Sequence, residues 1–164
     1  DQFKKRNNEI LQMKKVSFLV TGLLVGIAVN VYDYVIHDLL LLKLLYYKLP
    51  IMRYGMSTSQ AELVSDAAVP FFVIADFVAA YVFVSFYQWI LKSIPAGAKG
   101  GLLFGLASGV LINIPTWYVC SLQLNQFPIT LAFSWTLAGM GWTILAGILS
   151  GLLLKKREVV GMNQ

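Results

Sequence analysis

Four long apolar segments constrain this chain more than any other feature. They cover residues 16–36, 67–91, 100–122 and 129–154. Each reaches the roughly 20 residues that an α-helix needs to cross a hydrocarbon core of about 30 Å. Lipid cannot hydrogen-bond an open backbone, and the segments do not alternate as barrel strands do. We therefore predict an all-α, four-helix transmembrane bundle that forms one domain over residues 1–164.

The composition excludes several other classes of protein. Hydrophobic residues make up 58% of the 164 residues, and charged residues make up 13%, about half of the roughly 25% that is usual in soluble domains. A soluble globular domain and a disordered tail are therefore excluded. Cys120 is the single cysteine, so the chain cannot form an internal disulfide and is not a disulfide-stabilised scaffold.

The basic residues flank the apolar segments and give an orientation. They lie before the first segment, in the second loop and after the last segment: Lys4, Lys5, Arg6, Lys14, Lys15; Lys92, Lys99; Lys155, Lys156, Arg157. This pattern predicts that both termini are cytoplasmic, in a bacterial cytoplasmic membrane. A nucleic-acid partner is not expected, because no folded basic face is indicated. The first loop is placed outside despite Lys43, Lys48 and Arg53.

The loops differ in length. The second and third loops are short, whereas the first covers residues 37–66. Its Leu-rich part, residues 38–49, is predicted to be helical, either extending the first span or lying flat at the membrane interface.

Small residues recur every four positions in each predicted helix. This spacing places them on one face, where two helix backbones can approach closely. Whether these faces meet inside the chain or on a partner is open. The predicted packing residues are Gly22 and Gly26; Ala75 and Ala79; Gly101, Gly105 and Gly109; and Gly147 and Gly151.

Part of this pattern is repeated. The segment GLLVGIA begins at Gly22, and the similar segment GLLFGLA begins at Gly101. The first and third helices are predicted to run in the same direction, so the two copies indicate a parallel repeat of a two-helix unit.

Five polar residues form a candidate intramembrane cluster in the outer half of the bilayer: Asn30, Asp33, His37, Asp76 and Asn113. The first three share one helix face. A carboxylate at the centre of a span costs roughly 2.5–3.5 kcal/mol to insert, so both aspartates should face the bundle or water. Three interpretations remain open: interhelical hydrogen bonding, a site for a proton, cation or small polar ligand, and a metal site of Asp33, His37 and Asp76.

No catalytic signature is present. The sequence contains no nucleophile elbow, P-loop, HExxH motif or dinucleotide-binding fingerprint. We therefore expect neither an enzyme nor a bound metal or cofactor. The catalytic and cofactor-binding residues are accordingly left unassigned.

Three stretches carry a resemblance to a known family. They are the run from Gly22 to Asn30 followed by Asp33 and His37, the run PAGAKGGL from Pro95, and the closing AGILSG from Ala146. Together they resemble a family of small bacterial four-span membrane proteins of unknown function, over residues 22–156. The resemblance implies the same four-span topology and carries no activity.

Two functional hypotheses follow from these patterns. The first is a non-catalytic integral membrane subunit that packs by its small-residue faces, in a larger assembly or by self-association. The alternative is a small oligomeric carrier or channel for protons, cations or a small polar solute that uses the intramembrane carboxylates.

Overall fold

The computed structural model describes residues 2–41, 44–45, 69–123 and 128–154. In these ranges the chain forms four helices, and the predicted all-α fold is confirmed. The helices are α1 (Gln2–Asp33), α2 (Val69–Ile90), α3 (Ala98–Gln123) and α4 (Ile129–Leu153). A π-helical segment, Tyr34–Leu41, continues α1.

The four helices, the first taken together with the π-helical segment, provide four stretches long and apolar enough to cross a membrane: Ser17–Leu41, Pro70–Ile90, Ala98–Gln123 and Ile129–Leu153. The class that these helices define is an integral membrane protein built as a four-helix bundle. The last three spans match the predicted segments within a few residues. The first was predicted to end at residue 36, but its helical path continues to Leu41 as a π-helix.

This continuation bears on the Leu-rich part of the first loop. Residues 39–41 belong to the π-helical segment, and Leu45 N–H donates to the carbonyl of Leu41 at 2.9 Å. The beginning of the Leu-rich part therefore extends the first span. The rest of the loop lies outside the described residues, and an interfacial helix there stays a prediction.

Helices that follow each other along the chain are antiparallel, and α4 contacts each of the other three. α1 packs on α2 and α4, while α3 packs mainly along α4. The start of the first span, the α2–α3 turn and the end of α4 lie together at one end, which we call the basic end because exposed Lys92 and Lys99 are there. The other end is called the loop end.

The buried core lies toward the basic end. Val25 and Val29 of α1 and Val84 and Tyr87 of α2 are fully buried there. Phe104 of α3 joins them through ring contacts with Phe83 and Tyr87, with centroids 4.8 and 5.5 Å apart. Tight aromatic packing therefore holds the helices together at this end.

A short turn joins α2 to α3 at the basic end. Ser93 N–H donates to the carbonyl of Ile90 at 2.8 Å, which closes the end of α2. Gly97 follows with φ of 75°, a left-handed conformation that glycine adopts without the steric cost that a Cβ atom brings. The chain can therefore reverse direction within residues 91–97.

Candidate functional site

The α1–α2 interface positions the two intramembrane aspartates. The Tyr81 ring packs against Gly22, and the Phe77 ring packs against Gly26, each filling space that a Cβ atom would occupy. Asp76 directly precedes Phe77, whereas Asp33 lies seven residues beyond Gly26. The Cα atoms of Asp33 and Asp76 are therefore separated along the bundle axis by about six residues of helical rise, which is about 9 Å.

Helix geometry brings the two carboxyl groups closer than their backbones. Helical side chains lean toward the N-terminus of their own helix. Asp33 on α1 therefore leans toward the basic end, and Asp76 on the antiparallel α2 leans toward the loop end. Both side chains are half-buried. Asp33 and Asp76, which we call the acidic pair, thus lie on two paired helices in the loop-end half of the bundle.

The hydrogen bonding of this acidic pair is incomplete. Within the described ranges, neither carboxyl group receives a hydrogen bond or pairs with a cation. Asn30 lies one turn before Asp33, but its side-chain N–H donates to the carbonyl of Gly26 in its own helix at 2.8 Å. Neither carboxyl group therefore has a neutralising partner among the described residues.

Asn113 lies at a different interface. Its side-chain N–H donates to the carbonyl of Gly109 in its own helix at 3.1 Å. Its side-chain oxygen packs against Gly139 of α4, where a Cβ atom would collide with it. The structure therefore places Asn113 between α3 and α4, away from the α1–α2 interface that holds the acidic pair.

His37 lies in the π-helical segment, one turn beyond Asp33. Its half-buried ring meets the Trp135 ring of α4 edge-on, with centroids 6.4 Å apart. Trp135 in turn contacts Trp117 of α3 at 4.7 Å. His37 is thus part of an aromatic cluster at the loop end.

The proposed metal triad has no geometric support in the described ranges. No three His, Cys, Asp or Glu side chains there come together in a group that could hold a metal ion. Asp33, His37 and Asp76 therefore do not come together as three metal ligands in these ranges.

Two tyrosines outside the predicted polar cluster make interhelical hydrogen bonds. The Tyr32 hydroxyl donates to the carbonyl of Ala138 in α4 at 2.9 Å, and the Tyr81 hydroxyl donates to the carbonyl of Leu19 in α1 at 3.0 Å. Both tyrosines lie well inside predicted spans. A buried phenol usually has a hydrogen-bond partner, so their depth makes both tyrosines candidates for interhelical bonds.

The predicted packing glycines contact neighbouring helices of the same chain. A Cβ atom on Gly101 would collide with the carbonyl of Gly147, and one on Gly105 with the carbonyl of Thr143. Gly109 lies against Thr143 and Met140, and Gly151 lies against the carbonyl of Gly97. The α3 and α4 backbones are therefore in direct contact.

Ala75 and Ala79 are arranged differently from these glycines. Both are exposed on the surface of α2, while the adjacent Ala80 is fully buried. Their small-residue face is therefore turned away from the bundle, and its packing role stays a prediction.

Comparison with protein-family models, with curated proteins and with solved structures finds no match to this chain. The resemblance to small four-span bacterial proteins therefore stays a prediction.

Proposed function

We propose that this protein is a small oligomeric carrier for protons or cations, with Asp33 and Asp76 as its binding site. The observation that supports the proposal is the acidic pair, half-buried between two membrane spans without a hydrogen bond or a cationic partner from the described residues. Ionisable groups inside membrane spans are costly and mark ion or proton pathways. A bound proton or cation would relieve the repulsion between two carboxylates.

The packed interior of the bundle near the basic end supports the oligomeric part of the proposal. Tyr87 is fully buried at the basic end, and Phe83 and Phe104 pack around it. Side chains therefore fill the bundle between the acidic pair and the basic end. A path across the membrane would run between copies of the chain, or would need these side chains to move.

Flux measurements on the full chain in proteoliposomes test the proposal. Proton, sodium and potassium flux should be lost in Asp33→Asn and in Asp76→Asn, because either change removes one of two acids at a shared site. The double variant should be no worse than either single variant. Glu62→Gln, in the predicted first loop, is the matched control and should retain flux. Wild-type flux in both aspartate variants would exclude the proposal.

A second candidate is a non-catalytic subunit of a larger membrane assembly. The glycine faces contact helices of the same chain, so association through them has lost support. The exposed Ala75 and Ala79 favour this candidate, because small residues four apart allow a partner helix to approach closely.

Gentle purification from native membranes tests this second candidate. A partner that co-purifies with the wild type should be lost in Ala79→Leu and retained in Ala107→Leu, which alters an exposed alanine on α3. Recovery of monomer alone would exclude this candidate.

A further inference from the structure

The single histidine of the chain lies where the first span ends against α4. His37 belongs to the π-helical segment Tyr34–Leu41, and its ring meets the Trp135 ring edge-on with centroids 6.4 Å apart. Short π-helical segments occur frequently at functional sites. An imidazole changes its charge between about pH 5 and 8, so this contact joins a titratable ring to an aromatic one.

Two contacts of different character hold the loop end of the first span on α4. Five residues before His37, the Tyr32 hydroxyl donates to the carbonyl of Ala138 at 2.9 Å. A phenol ordinarily loses its proton only near about pH 10, so this hydrogen bond does not depend on pH between about pH 5 and 8. The contact of His37 with Trp135 lies closer to the loop end, and its strength depends on whether the imidazole carries a proton.

Protonation changes the physical nature of this ring contact. A neutral imidazole and an indole attract each other as an edge-on aromatic pair. An imidazolium is in addition attracted as a cation by the π-system of tryptophan, over distances up to roughly 6 Å and more strongly where water is excluded. Both rings are half-buried, and Trp117 holds the Trp135 ring from α3 at 4.7 Å. The charged form of His37 should therefore bind α4 more tightly than the neutral form.

The helices that meet His37 through aromatic rings contribute no charge of their own near it. From Ile129 to Leu153, α4 contains no charged or titratable residue. On α3, Tyr118 and Cys120 follow Trp117, and phenols and thiols are ordinarily neutral below about pH 8. The indole of Trp135 is therefore the group on α4 that responds to the charge of His37.

Carboxyl groups are present on the first two helices. Asp33 precedes His37 by four residues and Asp38 follows it in the sequence, while Asp76 lies deeper in the bundle on α2. These groups also take up protons when the pH falls, so a test of His37 must separate its titration from theirs.

We propose that His37 and Trp135 form a proton-sensitive contact that fastens the loop end of the first span to α4. Uptake of a proton by the imidazole tightens the contact, and loss of that proton loosens it. The added stability is therefore fully present at acidic pH and is lost as the pH rises through the range in which His37 becomes neutral. The contact is separate from the proposed carrier activity, which uses Asp33 and Asp76.

Tryptophan fluorescence of the full chain in detergent tests whether Trp135 responds to a proton on His37. A protonated imidazole quenches the emission of an indole that it contacts, so wild-type emission should fall in one step between about pH 8 and pH 5. His37→Gln should abolish this step. Trp89→Phe is the matched control and should keep the step, because it removes an exposed tryptophan at the basic end.

A double-mutant cycle measures the strength of the contact at each pH. The wild type, His37→Gln, Trp135→Leu and the double variant are unfolded in mixed detergent and sodium dodecyl sulfate at about pH 5 and about pH 8. The coupling between the two side chains should favour the folded state about threefold more at the lower pH. The carboxyl groups are common to all four proteins, so their titration cancels in the cycle.

Three results would overturn the proposal. They are wild-type emission that does not change over this pH range, a step that persists in His37→Gln, and a coupling between His37 and Trp135 that is equal at the two pH values. The first of these needs no variant, so it applies even if a substituted chain fails to fold.

Discussion

Between α3 and α4 glycine meets backbone, whereas between α1 and α2 glycine meets an aromatic ring. Gly101 lies against the carbonyl of Gly147, while Gly22 lies against the ring of Tyr81. The two glycines begin the similar segments GLLFGLA and GLLVGIA. Similar local sequences therefore make two kinds of helix contact, glycine against backbone and glycine against a ring. The residues of the facing helix determine which kind forms.

This difference has a mechanical consequence. Two backbones in contact cannot move apart locally without displacing whole helices, whereas a ring can rotate or shift at a smaller cost. The α3–α4 pair should therefore be the more rigid half of the bundle. The α1–α2 pair, which holds Asp33 and Asp76, should adjust more easily.

The largest effect should come from adding a methyl group between α3 and α4. Gly101→Ala places a Cβ atom against the carbonyl of Gly147, and we expect a loss of about 2–3 kcal/mol in the free energy of unfolding. Unfolding in mixed detergent and sodium dodecyl sulfate, followed by circular dichroism, measures this loss. Leu102→Ala, at the exposed neighbouring position, should cost much less. Equal losses in the two variants would contradict the backbone contact.

The same change between α1 and α2 should cost less. Gly22→Ala meets the Tyr81 ring, and we expect a loss of about 1–2 kcal/mol because a side chain, held by one hydrogen bond to Leu19, moves more easily than a backbone. A double-mutant cycle with Tyr81→Ala sharpens the comparison, because the methyl group should cost almost nothing once the ring is removed. A cost that persists without the ring would show that α1 and α2 also meet through their backbones.

The smallest effects concern the tyrosine hydroxyls. Tyr32→Phe removes the hydrogen bond to the carbonyl of Ala138 and should cost about 0.6 kcal/mol, the usual scale for such bonds in membranes. Tyr87→Phe is the matched comparison, because its buried hydroxyl has no partner among the described residues. It should be neutral or slightly stabilising, since no bond is lost. The same unfolding assay measures both variants. A larger loss of unfolding free energy for Tyr87→Phe than for Tyr32→Phe would contradict the assignment of the hydrogen bond to Tyr32.

Much of the fold could be predicted because membrane insertion depends on local properties. The length and apolar character of a segment decide whether it spans, so three spans agree with the structure within a few residues. The first span extends farther, because helical geometry continues as a π-helix from Tyr34 to Leu41. Apolar content alone does not distinguish these two helical forms.

The candidate site could be predicted only in part. The insertion cost of a carboxylate selects Asp33 and Asp76 from the sequence, and the structure places both half-buried on the paired helices α1 and α2. Asn113 shares their depth but lies against Gly139 at another interface. Depth can be read along one helix, whereas the choice of neighbouring helix depends on how all four pack.

The sequence by itself determined four helices, an even number of crossings and the depth of each polar residue, because apolar length and helical rise act within single segments. Tertiary structure alone decided that α4 contacts each of the other three helices. It also decided that Gly22 packs against a ring whereas Gly101 packs against a backbone carbonyl. The hydrogen bond from Tyr32 to Ala138 likewise depends on the tertiary structure. In lipid, apolar side chains fit many alternative helix pairings about equally well. Close packing and a few interhelical hydrogen bonds therefore select the final arrangement.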